Sequence, residues 1–405
     1  MRALYPALLG LAALGCLPAT AAPSISSRGH LEERYHDNVT GTGSSGHRLE
    51  AVLETRASEG DWTLDSVLLG RYRSQYRDAG GRLEDKMAED LDLRELYVTW
   101  AGERWQWRLG QQQVAWGRGD YFRLVDVINP LDLREFLLPY LDDYSLGRQT
   151  RPMALAEFYG DSMEHQWILA PRAQKTRYAP TGADFAMPLV PDGLPDEHDD
   201  HERPDVGWRG KTLVEGTDLD FYLFDGLSPD PVYLMEDGRQ VEGQRRRSLV
   251  GSSFARPLGQ WVVRGDLVHL FHEPLQTPEG VKDVPRSAAL LGLDLTKNEW
   301  TVNLQATVSH RHGAPDSLKH PTGYEASAAV LKDWSKQRLN AELLWLYNRQ
   351  DQSSQMFKAA LGYRPWNQWH LETGVIGFSG GQASQYGQFD QQDRVYLQVR
   401  RDFSF

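Results

Sequence analysis

Trp300-Thr301-Val302-Asn303-Leu304-Gln305-Ala306-Thr307-Val308-Ser309 is apolar at every even position and polar at every odd one. Side chains two residues apart share a face only in an extended strand, and a 3.6-residue helical period would scatter both kinds of residue around the axis. The same alternation returns at Leu339, Ala341, Leu343, Trp345 and Tyr347, at Trp105, Trp107 and Leu109, and at Trp62, Leu64 and Leu68. Each of these segments reads as a strand with one apolar face.

A soluble sandwich would show the same alternation, so the connections between strands decide. Short turns recur at about 58–61, 101–104, 160–163, 214–217, 256–259, 296–299, 333–336 and 364–367. Longer polar connections lie at about 38–47, 77–89, 111–148, 172–205, 228–246, 273–285, 310–322, 349–353 and 379–391. Eight short and nine long connections join 18 strands and leave both termini at the tight end. That is the pattern of an all-β, antiparallel up-and-down transmembrane barrel of the bacterial outer membrane, closed because hydrocarbon leaves no sheet edge a partner. Sixteen strands is the alternative if the weaker segments near 205–213 and 285–295 are connections instead.

Trp62, Trp100, Trp105, Trp261, Trp300, Trp334, Trp366 and Trp369 fall within a few residues of the short turns. Tryptophans filling a soluble core would not gather at one end of each hairpin, so they read as a girdle at the inner lipid interface. The chain closes on Tyr396-Leu397-Gln398-Val399-Arg400-Arg401-Asp402-Phe403-Ser404-Phe405. Tyr396, Phe403 and Phe405 resemble the terminal signal read by the outer-membrane barrel assembly machinery, with Arg401 expected to snorkel to the interface.

At the other end, Arg2, the apolar run from Leu8 to Leu17 and the small residues Ala19, Thr20, Ala21 and Ala22 form the three parts of a secretory signal peptide. Cleavage after Ala21 leaves a single barrel domain over 22–405 and removes Cys16, the only cysteine, and with it any disulfide, thiolate metal site or nucleophilic thiol. Lipid anchoring through Cys16 is the minor alternative. The mature chain carries 43 Lys+Arg against 56 Asp+Glu, a balance that argues against nucleic acid as a partner. A mean hydropathy of −0.55 excludes a bundle of membrane helices.

The longest exception to the strand pattern is 111–148. Asn129-Pro130, followed by Asp132, reads as the start of a short helix that Pro139 ends. Its apolar Leu131, Leu133, Phe136, Leu137 and Leu138 do not suit a loop in water, so the segment is expected to fold inward. There Arg118, Asp120, Arg123, Asp126, Asn129, Asp132, Arg134 and Glu135 would form a pore constriction of mixed charge. Arg104, Arg108, Arg264, Asp266, Glu50, Glu54 and Glu342 are the expected lumen-facing charges. Any of these pairs could equally brace the insert.

The motifs Leu93-Arg94-Glu95-Leu96-Tyr97-Val98, Leu109-Gly110-Gln111-Gln112, Ala115-Trp116-Gly117 and Asp126-Val127-Ile128-Asn129-Pro130-Leu131-Asp132 resemble the proteobacterial outer-membrane family catalogued as domain of unknown function number 1302, similar to alginate-export-type barrels. The detailed match spans about 90–160. The resemblance implies an outer-membrane channel, in some members alongside an inner-membrane permease, and carries over no catalytic residues.

Three other features receive plainer readings. Asp196-Glu197-His198-Asp199-Asp200-His201-Glu202 reads as a solvated loop, since nothing fixes the ligand spacing that a divalent ion needs. His310 and His312 read as surface residues. A lipid-cleaving barrel needs a serine and a histidine in hydrogen-bond reach on the lipid face, and no His-x-Ser occurs, while Ser309 and His310 point to opposite faces. No catalytic residue, cofactor or metal is expected. The expected partners are outer-membrane lipid, the assembly machinery and a small-molecule solute. A plugged barrel acting as a scaffold is the competing class.

Overall fold

The computed structural model describes residues 23–41, 43–171, 174–197, 203–334, 336 and 338–405. The signal peptide, Cys16 and residues 198–202 of the acidic loop lie outside the described residues.

Eighteen strands form one sheet, every neighbour antiparallel. In chain order they are β1 Ser24–Asn38, β2 Gly46–Glu59, β3 Trp62–Arg73, β4 Glu89–Ala101, β5 Trp105–Gln112, β6 Arg151–Tyr159, β7 Glu164–Ala170, β8 Asp205–Val214 and β9 Thr217–Leu227. There follow β10 Arg246–Leu258, β11 Trp261–Thr277, β12 Gly280–Lys297, β13 Trp300–Arg311, β14 Thr322–Trp334, β15 Leu339–Arg349, β16 Ser353–Tyr363, β17 Trp369–Gly380 and β18 Arg394–Ser404. Strand β1 pairs with β18 from Arg28↔Ser404 to Asn38↔Arg394, which closes the barrel. The segments near 205–213 and 285–295 are strands β8 and β12, so the count is 18 and not 16.

The alternation runs inside out relative to a soluble protein. On β13, Leu304 and Val308 are exposed on the outer wall while Gln305 and Thr307 are buried in the lumen. Leu267, Leu291, Leu343, Leu361 and Leu397 likewise face outward. A belt of that size is stable only against lipid. Trp62, Trp105, Trp261, Trp300, Trp334 and Trp366 stand exposed beside the short turns, and the Arg401 guanidinium lies 5.5 Å from the Trp369 ring centre.

One expectation about the strands needs correction. The 273–285 connection is not a loop, because β11 and β12 remain paired out to Thr277↔Gly280, past a bulge between Leu270 and Glu273. Tyr396 does not share a face with Phe403 and Phe405. An odd separation along a strand places side chains on opposite faces, and Tyr396 is buried in the lumen, donating to Glu372 at 2.6 Å. Arg104 sits in the β4–β5 reversal, where the Gly102 N–H bonds the Trp105 carbonyl and the Tyr159 N–H bonds the Arg104 carbonyl, and it meets exposed Asp161 at 3.1 Å.

Candidate functional site

Residues 113–150, between β5 and β6, fold into the barrel. Three short helices accompany the loops: α1 Gly81–Met87 after β3, and α2 Leu138–Asp142 and α3 Tyr144–Gly147 within the insert. The helix expected from Asn129 is absent. Proline 139 instead lies at the first positions of α2, where its missing N–H costs nothing. The reason is that Asn129 has other work. Its Oδ1 accepts from the Val114 N–H at 2.8 Å and its Nδ2 donates to the Gln149 carbonyl at 2.8 Å, joining the two ends of the insert. The chain then runs extended, Asp132–Leu133 pairing in parallel with Arg177–Tyr178, and turns at Phe136, whose φ is +53°.

Two apolar clusters hold the insert to opposite walls. Val114, Trp116, Phe122, Leu124, Val125 and Ile128 pack on Leu155, Ile168, Tyr222, Leu249, Val268 and Leu290 of β6–β12. Phe136 and Leu138 pack with Phe185, Phe378, Tyr386, Phe389 and Met356 on the β15–β18 side. Tyr121 touches both clusters. The burial of these large side chains, each contributing about 1.5–3 kcal/mol, explains why an apolar loop leaves the water for the lumen.

Polar anchors set the register of the insert on the wall. Asp266 accepts from the Arg118 N–H at 2.9 Å and the Gly119 N–H at 3.2 Å. The Arg118 guanidinium donates to buried Asp220 at 2.6 Å, which also accepts from Arg209 at 2.8 Å. Asp120 pairs with Arg264 and accepts from Asn303 at 2.6 Å and Gln305 at 2.9 Å. Gly117 must be glycine on two counts: its φ is +88°, and a Cβ would stand 2.4 Å from a Val125 methyl.

The remaining charges form a second network at the β2–β4 wall. Arg134 bonds Asp132 at 2.6 Å and Asp90 at 2.9 Å, and Arg73 bonds Glu135 at 2.8 Å and Asp90 at 2.9 Å. Burial pushes the Glu135 carboxyl up, but Arg73, Arg48 and Arg71 outweigh it and hold its pKa down at about 2. Arg123 and Arg148 share Asp126, at 2.9 and 2.8 Å.

The eight residues expected at the constriction thus fall in three groups: Arg118 and Asp120 in the first network, Asp132, Arg134 and Glu135 in the second, and Arg123, Asp126 and Asn129 joined within the insert itself, where Arg123 also donates to the Asn129 carbonyl at 2.7 Å. Arg264 and Asp266 belong to the first. Glu50 is buried between Arg48 at 2.8 Å and Arg71 at 2.5 Å. Glu342 meets Lys358 at 3.1 Å, Arg108 lies 3.8 Å from Glu157, and Glu54 holds Arg28 at 2.7 Å. Sequence spacing did not single out Asp90, Arg73, Asp220, Arg209 or Arg148, because their partners lie on other strands or in the insert, 11 to 102 residues away along the chain.

Open space remains on both sides. A cavity of about 480 Å³ lies at the long-loop end between Lys86, Arg134, Arg177, Tyr178, Asp192 and Tyr233. One of about 330 Å³ lies at the short-turn end between Glu50, Asp143, Leu146, Glu342, Lys358 and Arg400.

An 18-strand up-and-down barrel with a long loop folded inside has the architecture of an outer-membrane barrel. The family model described as "Protein of unknown function (DUF1302)" matches residues 60–403, and the chain belongs to that family. The match reaches well beyond the 90–160 stretch expected from motifs. A comparison with curated proteins finds no match. Among solved structures, Acinetobacter baumannii OccAB1 is similar with a TM-score of 0.57 at 12% identity, over 95% of this chain and 96% of that one. Pseudomonas aeruginosa OccK2 (OpdF) in complex with glucuronate gives 0.56 at 12%, over 95% and 98%. Pseudomonas aeruginosa OpdK with vanillate gives 0.56 at 12%, over 94% and 99%. At these identities the likeness is one of fold.

Proposed function

We propose that this chain is an outer-membrane channel that passes small polar or charged solutes through a lumen narrowed by 113–150. The observation that carries the reading is the insert itself, suspended between a cavity at each end and fixed by side chains rather than by the continuous sheet. A lumen of about 18 strands is wide enough for water, so selectivity must come from such a loop and its charges. Small carboxylates are the first solutes to test. Arg34, Arg48, Arg71, Arg73, Arg94 and Arg394 are buried along the β1–β4 and β18 lumen wall, and two similar barrels were solved with glucuronate and vanillate. Export by a cleaved signal peptide and insertion by the assembly machinery fit the two ends of the sequence.

Liposome swelling with glucuronate, vanillate and an uncharged sugar of similar size tests the reading. Faster entry of the carboxylates supports it, and no entry of any solute defeats it. A plugged scaffold is the second reading, favoured by the contact of Tyr121 with both apolar clusters, and it predicts that no solute enters.

A further inference from the structure

The outer wall carries a serine between imidazoles. Strand register sets His269 of β11 opposite Ser287 of β12, and Ser287 opposite His310 of β13, so the three form one row across three strands. All three share the face of the lipid-exposed Leu267, Leu291 and Val308, because they are an even number of residues away on their own strands. His312, two residues beyond His310, completes the group. Ser287 Oγ lies 2.9 Å from His269 Nδ1 and 2.8 Å from His312 Nε2. The His310 and His312 rings stand 4.9 Å apart.

A shallow apolar groove of about 640 Å³ opens beside this row, lined by Phe221, Val250, Ser252, Leu267, Ala289 and Val308. Its depth in the membrane follows from strand geometry. His269 lies eight residues along β11 from the girdle residue Trp261. At about 3.3 Å per residue and a tilt of about 40°, that is roughly 20 Å above the inner interface. The apolar band of such barrels is about 25 Å tall. The row thus stands near the outer boundary of the hydrocarbon, where lipid acyl esters meet water and the groove can take the acyl chain.

We propose that Ser287, His312 and His269 form an esterase site for acyl esters of membrane lipids, on the outside of the barrel and separate from the channel. A serine hydroxyl has one proton, so it donates to one ring and accepts from the other. Ser287 Oγ attacks the ester carbonyl carbon as its proton passes to His312 Nε2, while the His269 N–H holds the oxygen in place. The carbonyl–oxygen bond of the ester breaks, and the alcohol leaves with the proton from His312. Interfacial water then adds to the acyl-serine and gives a proton to His312. The fatty acid departs, and Ser287 recovers its proton from His312. Ester plus water becomes acid plus alcohol, with no other reactant.

The test uses the full barrel in mixed micelles, with a phospholipid labelled on one acyl chain as substrate and a fluorophosphonate as covalent probe. The expected result is a probe adduct on the peptide carrying Ser287 and release of the labelled fatty acid. Ser287→Ala abolishes both, His312→Gln lowers hydrolysis by about a hundredfold or more, and His269→Gln lowers it less. All three variants leave solute entry into liposomes unchanged, because their side chains face lipid. That readout also shows that they fold, and it separates failure of this site from failure of the channel. Absence of adduct and hydrolysis in a barrel that still admits solute overturns the proposal. So does hydrolysis that survives Ser287→Ala, or zinc binding by the imidazoles without ester cleavage.

Discussion

The carboxylate of Asp266, on the barrel wall, accepts the main-chain N–H of Arg118, in the insert, through both oxygens at 2.9 and 3.1 Å. A wall side chain thus fixes the backbone of the loop that narrows the lumen, and the Gly119 N–H at 3.2 Å extends the same contact. Hydrogen bonds to a charged acceptor are worth about 1.5–3 kcal/mol each. Replacement by Asp266→Ala should release this side of the insert without unfolding the sheet. Larger and noisier single-channel currents from a barrel that remains heat-modifiable are the expected outcome.

Deletion of residues 129–139 removes Asn129, which joins the ends of the insert, and Phe136, which docks it to the far wall. The shortened protein should conduct more and select less than the parent. A scaffold would show nearly unchanged conductance, which makes this deletion a direct comparison of the two readings.

Substitution of Gly117 by alanine forces a side chain into a φ of +88° and against Val125 and Asp266. Strain of this kind costs about 1–3 kcal/mol. Limited proteolysis should cut Gly117→Ala within 113–150 faster than the parent, whereas Gly216→Ala, in an open turn, should leave the insert resistant.

The Glu135–Arg73 contact makes the insert sensitive to acid. The folded-state pKa of Glu135 is about 2, below the ordinary value of 4.5, so its contribution is complete above pH 4.5 and is lost as pH falls toward 2. The difference corresponds to something on the order of 3 kcal/mol. Conductance should therefore rise on acidification across that window, and Glu135→Gln should flatten the response. Equal acid responses in the two proteins would contradict the assignment.

At the seam, the Phe405 N–H donates to the Ser27 carbonyl at 2.9 Å, and the Ser27 N–H donates to the Phe405 carbonyl at 2.8 Å. The Phe403 and Phe405 rings stack on the outside, 5.8 Å apart. Removal of Phe405 deletes the outermost pairing of β1 with the last strand, and the heat-modifiable fraction recovered from cell envelopes should fall.

The strand count and the direction of each turn were legible because a period-two pattern and a short-long rhythm of connections are local properties of the sequence. Even the weaker β8 followed the rhythm, whereas β12 is reached by a tight turn where a long connection was expected. The inward fold of the insert was legible too, since Phe136 and Leu138 have no place in a solvated loop. What remained hidden depended on distant partners. Asn129-Pro130 carries the local marks of a helix start, yet two backbone contacts from Val114 and Gln149 claim the side chain first. Ser287 and His269 are 18 residues apart, and His312 is 25 residues beyond Ser287, so only strand register brings the three together. A search for His-x-Ser within one strand passes over a pair formed across two. Pairing the alternating faces of the strands near 269, 287 and 310 would have found it.

Single-channel recording of the refolded mature protein in a planar bilayer, with reversal potentials under a salt gradient, tests the central claim most directly. Steady openings are the predicted result, with a selectivity that shifts when Asp266 or Glu135 is replaced. A folded, heat-modifiable barrel that never conducts would contradict the channel account.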